Sequence, residues 1–195
     1  MCDFQTAFKR TVGFEGIYSN DPDDHGGETY KGVSRHYWPE WPGWPIVDAH
    51  KDADNFPSCL AADPVLIQHV QLFYRDKFWL PMACDRIPHQ PLANELFDTG
   101  VNIGLYPTIR FLQIGLNRIN KLGTLWPDIK EDGIAGPVTI AALDAAMEHL
   151  AVSHGEYCAC PGCILTKAVN CQQGVYYLLQ SKEKFIPGLF AKRIT

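Results

Sequence analysis

The amino-acid sequence predicts a mainly α-helical protein with one small β-hairpin near its N-terminus. Several segments repeat apolar residues at three- and four-residue steps, which is the spacing of one face of a helix. Strand-like stretches are short and confined to the N-terminal region. Turns that contain proline and glycine separate the helical segments. The chain has 195 residues, which corresponds to one domain or two small ones.

Composition excludes several classes of protein. Hydrophobic residues make up 46% of the chain and charged residues 20%, which is ordinary for a globular protein and excludes a disordered chain, a collagen or a coiled coil. The formal net charge of −5 argues against general binding to nucleic acid phosphates. The longest apolar run is too short to span a bilayer. We therefore expect no nucleic-acid partner and no membrane insertion.

The first predicted helix covers residues 3–13. Asp3 is a candidate N-cap, because its carboxylate can accept hydrogen bonds from the exposed amides of the first turn. Phe4 and Phe8 lie on one face, and Gly13 ends the helix. Residues 18–27 are rich in turn-forming types, and the short stretches 17–18 and 29–33 on either side predict a hairpin.

Five further helices are predicted after a proline-rich loop. Three prolines in residues 37–45 place the neighbouring tryptophans on a loop. A helix over 63–79 follows, with Asp63 as its cap and Pro64 in its first turn. The spacing then predicts helices over 94–103, 107–119, 137–150 and 171–183, with Pro88 and Pro91 as interruptions.

The segment over residues 15–29 has the composition of a catalytic element. Glu15 follows an apolar helix face, so folding should bury it, and burial raises the pKa of a carboxyl group. The negative end of the helix dipole acts in the same direction. Asp24 lies in a polar turn and should stay ionised. A protonated and an ionised carboxyl are the pair that glycoside hydrolysis requires.

Other interpretations of this segment remain open at this point. A run of aspartates and glycines is also typical of a solvated turn or a loose calcium loop, although the twelve-residue ligand pattern of an EF-hand is absent. Thr29 is a candidate for holding the attacking water. Alternatives to Asp24 are Asp21, Asp23 and Glu28.

Residues 15–29, EGIYSNDPDDHGGET, resemble the signature of glycoside hydrolase family 108. Ile17 and His25 stand where that family has Gly and Pro. The resemblance implies a lysozyme-like fold, muramidase activity and a general-acid role for Glu15. The order of Glu, Asp and Thr is also similar to that of phage-type lysozymes, although the last gap is one residue shorter. That similarity implies that Asp24 positions water and that Thr29 supports it.

The resemblance extends along most of the chain. Residues 73–79 and 97–104 resemble later segments of the family, and residues 111–117 with 132–143 resemble its C-terminal peptidoglycan-binding-type region. This implies a lysozyme-like catalytic region over 1–105 and a helical peptidoglycan-binding-type region over 106–195.

Aromatic and polar residues near the acidic segment are candidates for substrate binding. Sugar rings stack on aromatic planes, so Trp38 and Trp41 are candidate glycan contacts, with packing of their loop onto the core as the alternative. For Asn102 the alternative is a structural capping role. Further candidate contacts are Tyr18, Asp21 and Tyr30.

The seven cysteines fall into two groups. Three are scattered and are interpreted as buried or incidental thiols. The others have a spacing that is compatible with tetrahedral zinc, and disulfides or free thiols are the alternatives. Because muramidases need no cofactor, any zinc would be structural. This second group consists of Cys158, Cys160, Cys163 and Cys171.

The sequence therefore predicts an N-acetylmuramidase that hydrolyses the β-1,4 bond between N-acetylmuramic acid and N-acetylglucosamine in peptidoglycan. A lytic transglycosylase and a non-catalytic peptidoglycan-binding module are the alternatives. The N-terminus lacks the pattern of a signal peptide. We therefore expect synthesis in the cytoplasm and action in the periplasm or cell wall, after release through a holin, a secretion route or lysis, as for an endolysin.

Overall fold

The computed structural model describes residues 2–12, 18–21, 26–151, 160–180 and 193. These residues form seven α-helices and one small antiparallel sheet, which confirms the mainly α class. The helices are α1 (Phe4–Val12), α2 (Trp44–Ala49), α3 (Pro64–Tyr74), α4 (Gln90–Ile103), α5 (Leu105–Ile119), α6 (Pro137–Ala151) and α7 (Pro161–Gln180). The strands are β1 (Tyr18–Ser19), β2 (Thr29–Tyr30) and β3 (Val33–Ser34). None of the described helices combines the length and the apolar composition that crossing a bilayer demands.

Two aspartates cap helices as the sequence predicts. The carboxylate of Asp3 accepts hydrogen bonds from the backbone amides of Gln5 at 3.1 Å and Thr6 at 2.9 Å. The carboxylate of Asp63 accepts from the first amides of α3, both at 2.9 Å. Each bond satisfies an amide that has no partner within the helix, so these residues fix where α1 and α3 begin.

The sheet contains the predicted hairpin and one further strand. Its order is β1–β2–β3, and both pairs are antiparallel. Lys31 and Gly32 form the two-residue turn between β2 and β3, with φ angles of 44° and 80°. Positive φ at both positions matches the twist of the flanking strands. A Cβ atom on Gly32 would lie 2.3 Å from the Tyr74 hydroxyl oxygen, so this position also needs glycine for space.

Several boundaries differ from the predicted ones. Pro91 and Pro161 lie in the first turns of α4 and α7, where a residue without an amide proton costs nothing. Both helices therefore begin before the predicted residues 94 and 171. Trp44 begins the short helix α2, in a stretch that was predicted to be loop throughout. After α3 the chain continues through one π-helical turn, Arg75–Trp79, to the predicted end at residue 79.

The chain divides into two compact units, one of residues 8–77 and one of residues 1–7 with 78–195. The buried apolar core of the first includes Tyr30, Val33, Trp44, Val47, Leu60, Leu66 and Val70. The core of the second includes Trp79, Leu92, Leu96, Phe97, Leu116, Leu143, Leu165 and Tyr177. The proposed functional division between residues 105 and 106 stays a prediction.

In the second unit, Gln113 fixes the turn that precedes α6. Its side chain is 1% exposed. Its Nε2 atom donates to Asp132 Oδ1 and to Thr139 Oγ1, both at 3.0 Å, and its Oε1 atom accepts from the amide of Gly133 at 2.9 Å. The hydrogen bond from Gln113 lowers the pKa of Asp132. The polar residues of the Asp-Gly-Ile-Ala-Gly-Pro turn and of the start of α6 therefore hold this turn against α5.

The substitution Gln113→Glu tests this arrangement. It keeps the size of the side chain but removes the donor and buries a second negative charge beside Asp132. We expect the free energy of unfolding to fall by about 2–4 kcal/mol, measured by urea denaturation. Gln172→Glu, at a half-buried glutamine that donates only to backbone carbonyls, should cost less than about 1.5 kcal/mol. Equal losses in the two variants would contradict the central role of Gln113.

Candidate functional site

Only part of the predicted catalytic set lies in the described structure. Glu15 and Asp24 fall in the stretches 13–17 and 22–25, which lie outside the described residues. The described structure includes α1 before the first stretch, β1 between the two, and β2 shortly after the second. Thr29, the third predicted catalytic residue, lies in β2.

Thr29 is half-buried and paired on both sides of its strand. Its backbone lies opposite Ser19 of β1 and Ser34 of β3. Its hydroxyl donates a hydrogen bond to the carbonyl oxygen of Gly27 at 3.1 Å. Because the hydroxyl proton has this partner, Thr29 is suited to accept a hydrogen bond from water rather than to donate one.

Glu28 has two cationic partners and one hydroxyl donor in the described part of the first unit. Its Oε2 atom lies 2.7 Å from Arg35 Nε, and its Oε1 atom lies 2.9 Å from Lys51 Nζ. The Tyr18 hydroxyl donates to Oε1 at 3.0 Å. The side chain of Glu28 is 12% exposed, and its two cationic partners compensate for the water that it loses. This carboxylate, an alternative to Asp24, thus joins residues from β1, the end of β3 and the end of α2.

Asp48 shares the same two cations at the surface. It forms a bidentate pair with Arg35, with distances of 2.7 and 3.1 Å, and contacts Lys51 Nζ at 2.8 Å. Hydrogen bonds from Arg35 and Lys51 lower the pKa of Asp48. Its stabilising contribution is therefore present above the ordinary pKa of an aspartate and is lost as pH falls through the folded-state pKa. We refer to Tyr18, Glu28, Arg35, Asp48 and Lys51 as the Glu28 network.

Tyr18 and Arg35 of this network have partly buried surroundings. Burial raises the pKa of Tyr18, and the hydrogen bond to Glu28 acts in the same direction. The guanidinium of Arg35 lies 4.3 Å from the centre of the Trp44 ring, which is nearly buried. The members of this network come from separate parts of the first unit, so no local pattern in the sequence indicates it. The one exception is the three-residue spacing of Asp48 and Lys51.

We refer to residues 37–45 as the tryptophan loop. A cavity of about 580 Å³ lies between this loop and α3. We call it the aromatic groove, and it is lined by Tyr37, Trp38, Trp41, His69, Leu72, Phe73 and Lys77, among others. Tyr37 is 64% exposed and Trp38 is 36% exposed. Rigid aromatic side chains at a concave surface are typical of ligand-binding sites. The sequence predicts Trp38 and Trp41 as glycan contacts, but it does not predict Phe73 as part of this groove.

The two predicted tryptophans have different positions in this groove. Trp38 packs edge-on against Phe73 at 5.1 Å, and Lys77 Nζ lies 4.9 Å from the centre of its ring. Trp41 is only 6% exposed and packs edge-on against Trp44 at 5.1 Å. Trp38 is therefore the accessible wall of the groove, and Trp41 forms part of its floor.

Tyr30 lies in the core rather than at a surface that substrate could reach. It was predicted to contact substrate, but its side chain is fully buried and its hydroxyl donates to the carbonyl oxygen of Leu60 at 3.1 Å. Burial raises the pKa of Tyr30 to about 12. Its ring stacks on Trp41, with 6.2 Å between centroids. Alternation along β2 turns Tyr30 inward next to the half-buried Thr29.

The remaining predicted contacts are Tyr18, Asp21 and Asn102. The ring of Tyr18 meets the edge of Phe56 at 4.8 Å, while its hydroxyl belongs to the Glu28 network. Asp21 is exposed after β1. Asn102 belongs to the other compact unit, where it is exposed in the last turn of α4 and donates to the carbonyl oxygen of Asp98 at 3.1 Å. A role for these residues in substrate binding stays a prediction.

The predicted four-cysteine cluster is changed by the structure. The Sγ atoms of Cys160 and Cys163 lie 2.8 Å apart, and His89 Nε2 lies 3.2 and 3.6 Å from them. Cys171 is exposed on α7, eight residues beyond Cys163. This spacing corresponds to about 12 Å along the helix, so the two cysteines cannot bind the same metal ion. Cys158 lies outside the described residues. His89 thus replaces Cys171, and no spacing in the sequence indicated it, because it precedes Cys160 by 71 residues.

Comparisons with known proteins address the region that contains this site. Residues 8–104, about half of the chain, match the family model described as Glycosyl hydrolase 108. A solved structure described as that of Brucella abortus SagA is similar to this one, with a TM-score of 0.57 and 19% sequence identity. The match covers 97% of this chain and 85% of that chain, and at this identity it shows a shared fold. A search of curated proteins found no match.

The family match includes the whole acidic segment, the sheet, the Glu28 network and the aromatic groove. The residues that the sequence predicts for catalysis and glycan binding therefore lie within the range that is similar to this glycosidase family. Residues 8–104 are therefore similar to the glycosyl hydrolase 108 family, and this similarity supports a peptidoglycan-degrading glycosidase.

Proposed function

We propose that the protein is an N-acetylmuramidase, which hydrolyses the β-1,4 bond between N-acetylmuramic acid and N-acetylglucosamine, with Glu15 as its general acid. The observation that carries this proposal is the family match over residues 8–104, because it includes the acidic segment, the C-terminal part of α1 and the whole sheet. The enzyme would be made in the cytoplasm and would act on the cell wall after release.

The proposed reaction uses two carboxyl groups with different tasks. Glu15 donates its proton to the glycosidic oxygen as the bond from that oxygen to the anomeric carbon breaks. Asp24 accepts a proton from a water molecule, whose oxygen forms the new bond to the anomeric carbon. Thr29 accepts a hydrogen bond from this water. The products are a reducing muramic acid end and a free hydroxyl on the glucosamine, and an attack from the opposite face inverts the anomeric centre.

The contacts of Glu28 favour Asp24 as the second carboxyl group. The oxygens of Glu28 are engaged by Arg35, Lys51 and the Tyr18 hydroxyl. A group with three such partners is suited to hold the chain in place, whereas a base must have a free oxygen that faces the water. We therefore assign Glu28 a structural role beside the catalytic segment.

The aromatic groove is the proposed binding site for part of the glycan strand. The apolar face of a sugar ring can stack on Trp38, with Tyr37 beside it. Lys77 already lies over Trp38, but an exposed cation–π contact contributes only about 0.5–1 kcal/mol, so a sugar can displace it at low cost. Residues 106–195 are proposed to add a second contact with peptidoglycan.

The general-acid role predicts a large effect of Glu15→Gln. The amide has nearly the same shape but cannot donate a carboxyl proton, so turnover should fall by about 10²–10⁴-fold. The assay is loss of turbidity of Gram-negative sacculi, and sacculus binding by pull-down should be unchanged. If the wild type binds sacculi without clearing them, the protein is a binding module. If Glu15→Gln clears them at the wild-type rate, another group is the acid.

Asp24→Asn and Glu28→Gln should separate catalysis from stability. Asp24→Asn should lower kcat about 10²-fold or more and leave the urea midpoint unchanged. Glu28→Gln should lower the free energy of unfolding by about 1–3 kcal/mol, because it weakens two ion pairs of a nearly buried carboxylate.

Asp48→Asn is the control for Glu28→Gln. Asp48 contacts the same two cations but its side chain is 45% exposed, so the substitution should lower the free energy of unfolding by less than about 1 kcal/mol. An unchanged kcat in Asp24→Asn would refute its assignment. A kcat loss confined to Glu28→Gln would move the role of base to that residue.

The groove assignment predicts a binding defect in Trp38→Ala. Removal of the exposed ring should raise KM for soluble glycan chains about 10-fold, equivalent to about 1.4 kcal/mol, with little change in kcat. Trp38→Phe keeps an aromatic face and should recover most of the affinity. A KM that is the same in all three proteins would exclude the aromatic groove from substrate binding.

A further inference from the structure

A histidine and two cysteines meet where α4 and α7 begin. His89 is the N-cap residue of α4, Cys160 immediately precedes α7, and Cys163 lies in its first turn. The Nε2 atom and the two Sγ atoms are separated by 2.8, 3.2 and 3.6 Å. All three side chains are partly buried, and both cysteines are free thiols. The three groups therefore present their ligand atoms to a common point.

The backbone around these groups is shaped for this approach. The sequence from Cys160 to Cys163 is Cys-Pro-Gly-Cys, and a Cβ atom on Gly162 would lie 2.1 Å from Cγ of His89. Only glycine leaves room for the imidazole between the two cysteines. The close approach of His89 thus requires a glycine in the first turn of α7, whereas an accidental surface contact would have no such requirement.

We infer that His89, Cys160 and Cys163 bind one zinc ion, which links the start of α4 to the start of α7. Two thiolates and one imidazole are typical zinc ligands, and the two-residue gap between the cysteines is the spacing of zinc knuckles. Two thiolates balance the charge of the ion. The fourth position of the tetrahedron is left for water or a further ligand. The three residues belong to a different compact unit from the acidic segment, and the site does not depend on the proposed muramidase activity.

The distances define what must change when the ion binds. With zinc–sulfur bonds of about 2.3 Å and a zinc–nitrogen bond of about 2.0 Å, ligand atoms lie about 3.5–3.8 Å apart. The two Sγ–Nε2 distances are already close to this range. The Sγ atoms are 2.8 Å apart, so they must separate by about 1 Å, whereas a disulfide would bring them to about 2.05 Å.

Ligation also changes the hydrogen bonding of His89. Its Nδ1 atom now accepts from the amide of Leu92 at 3.2 Å, so the ring proton is on Nε2. Zinc binds through the lone pair of Nε2, and the ring proton then resides on Nδ1. The two thiols release their protons to solvent. Zinc binding should therefore break the hydrogen bond from the Leu92 amide to Nδ1, and the backbone amide signal of Leu92 should shift in an NMR titration.

The test uses the full chain, reduced and freed of metal with a chelator. Zinc content is measured by mass spectrometry after reloading, and affinity is measured by competition with a chromophoric chelator. Cobalt(II) replaces zinc as an optical probe, because its thiolate charge-transfer band reports how many sulfurs bind. We expect one metal ion per chain and a cobalt spectrum of two thiolates.

Variants distinguish the three ligands from the neighbouring groups. His89→Asn, Cys160→Ser and Cys163→Ser should each weaken zinc binding by more than about 100-fold, which exceeds the 10–100-fold effect of outer-shell changes. Asparagine is itself a favourable N-cap, so His89→Asn should keep α4 intact. Cys171→Ser is the matched control, since Cys171 is exposed on the same helix, and its zinc affinity should equal that of the wild type.

Other outcomes would overturn the proposal. These are the absence of stoichiometric zinc in the reduced protein, a cobalt spectrum without thiolate bands, or equal loss of affinity in Cys171→Ser and Cys163→Ser. A Cys160–Cys163 disulfide that persists in protein purified under reducing conditions would also exclude the metal site. Circular dichroism of each metal-free variant separates loss of zinc from loss of folding.

Discussion

The carboxylate of Glu28, held between Arg35 and Lys51, is the contact on which the arrangement of the first unit depends. The three strands have two residues each, and strands of that length have too few hydrogen bonds to fix their own positions. Glu28 joins β1 through Tyr18, the end of β3 through Arg35 and the end of α2 through Lys51. Because Glu28 belongs to the acidic segment, the same contact anchors the C-terminal end of that segment.

The acidic residues of the first unit have different physical environments. Glu28 is nearly buried and neutralised by two cations, while Asp48 contacts the same cations from the surface. The proposed catalytic carboxyl groups, Glu15 and Asp24, precede Glu28 in the acidic segment. A glycosidase needs one carboxyl group that is protonated before the reaction and one that is ionised. We therefore expect neither catalytic carboxyl to be held between two cations as Glu28 is. The network keeps Arg35 and Lys51 bound to acids that serve structure.

The tryptophan loop combines buried aromatic side chains with accessible ones. Trp44 is buried beneath Arg35, and Trp41 is stacked on Tyr30 in the core. These two rings anchor the loop to the core, and turn hydrogen bonds to the amides of Trp41 and Trp44 support it. Trp38 is left at the surface with Tyr37. An aromatic side chain held on a rigid loop loses little conformational entropy when it binds a ligand.

Features with local causes were predictable from the sequence, and features with distant partners were not. Asp3 and Asp63 cap helices because their carboxylates reach amides two and three residues away. The partners of Glu28 and the approach of His89 to Cys160 depend on contacts between separate elements, which leave no spacing in the sequence. A strand of two residues is too short for alternation to be recognised in the sequence. The inward direction of the Tyr30 side chain was therefore not predictable either.

The most direct test of the glycosidase account is the chemical identity of the ends that it produces. Sacculi are digested with the full chain in water labelled with oxygen-18, and the released fragments are analysed by mass spectrometry. The account predicts reducing N-acetylmuramic acid ends that each carry one labelled oxygen. Unlabelled 1,6-anhydro ends would show that no water attacks, and reducing N-acetylglucosamine ends would show that a different bond is cleaved; either result would contradict it.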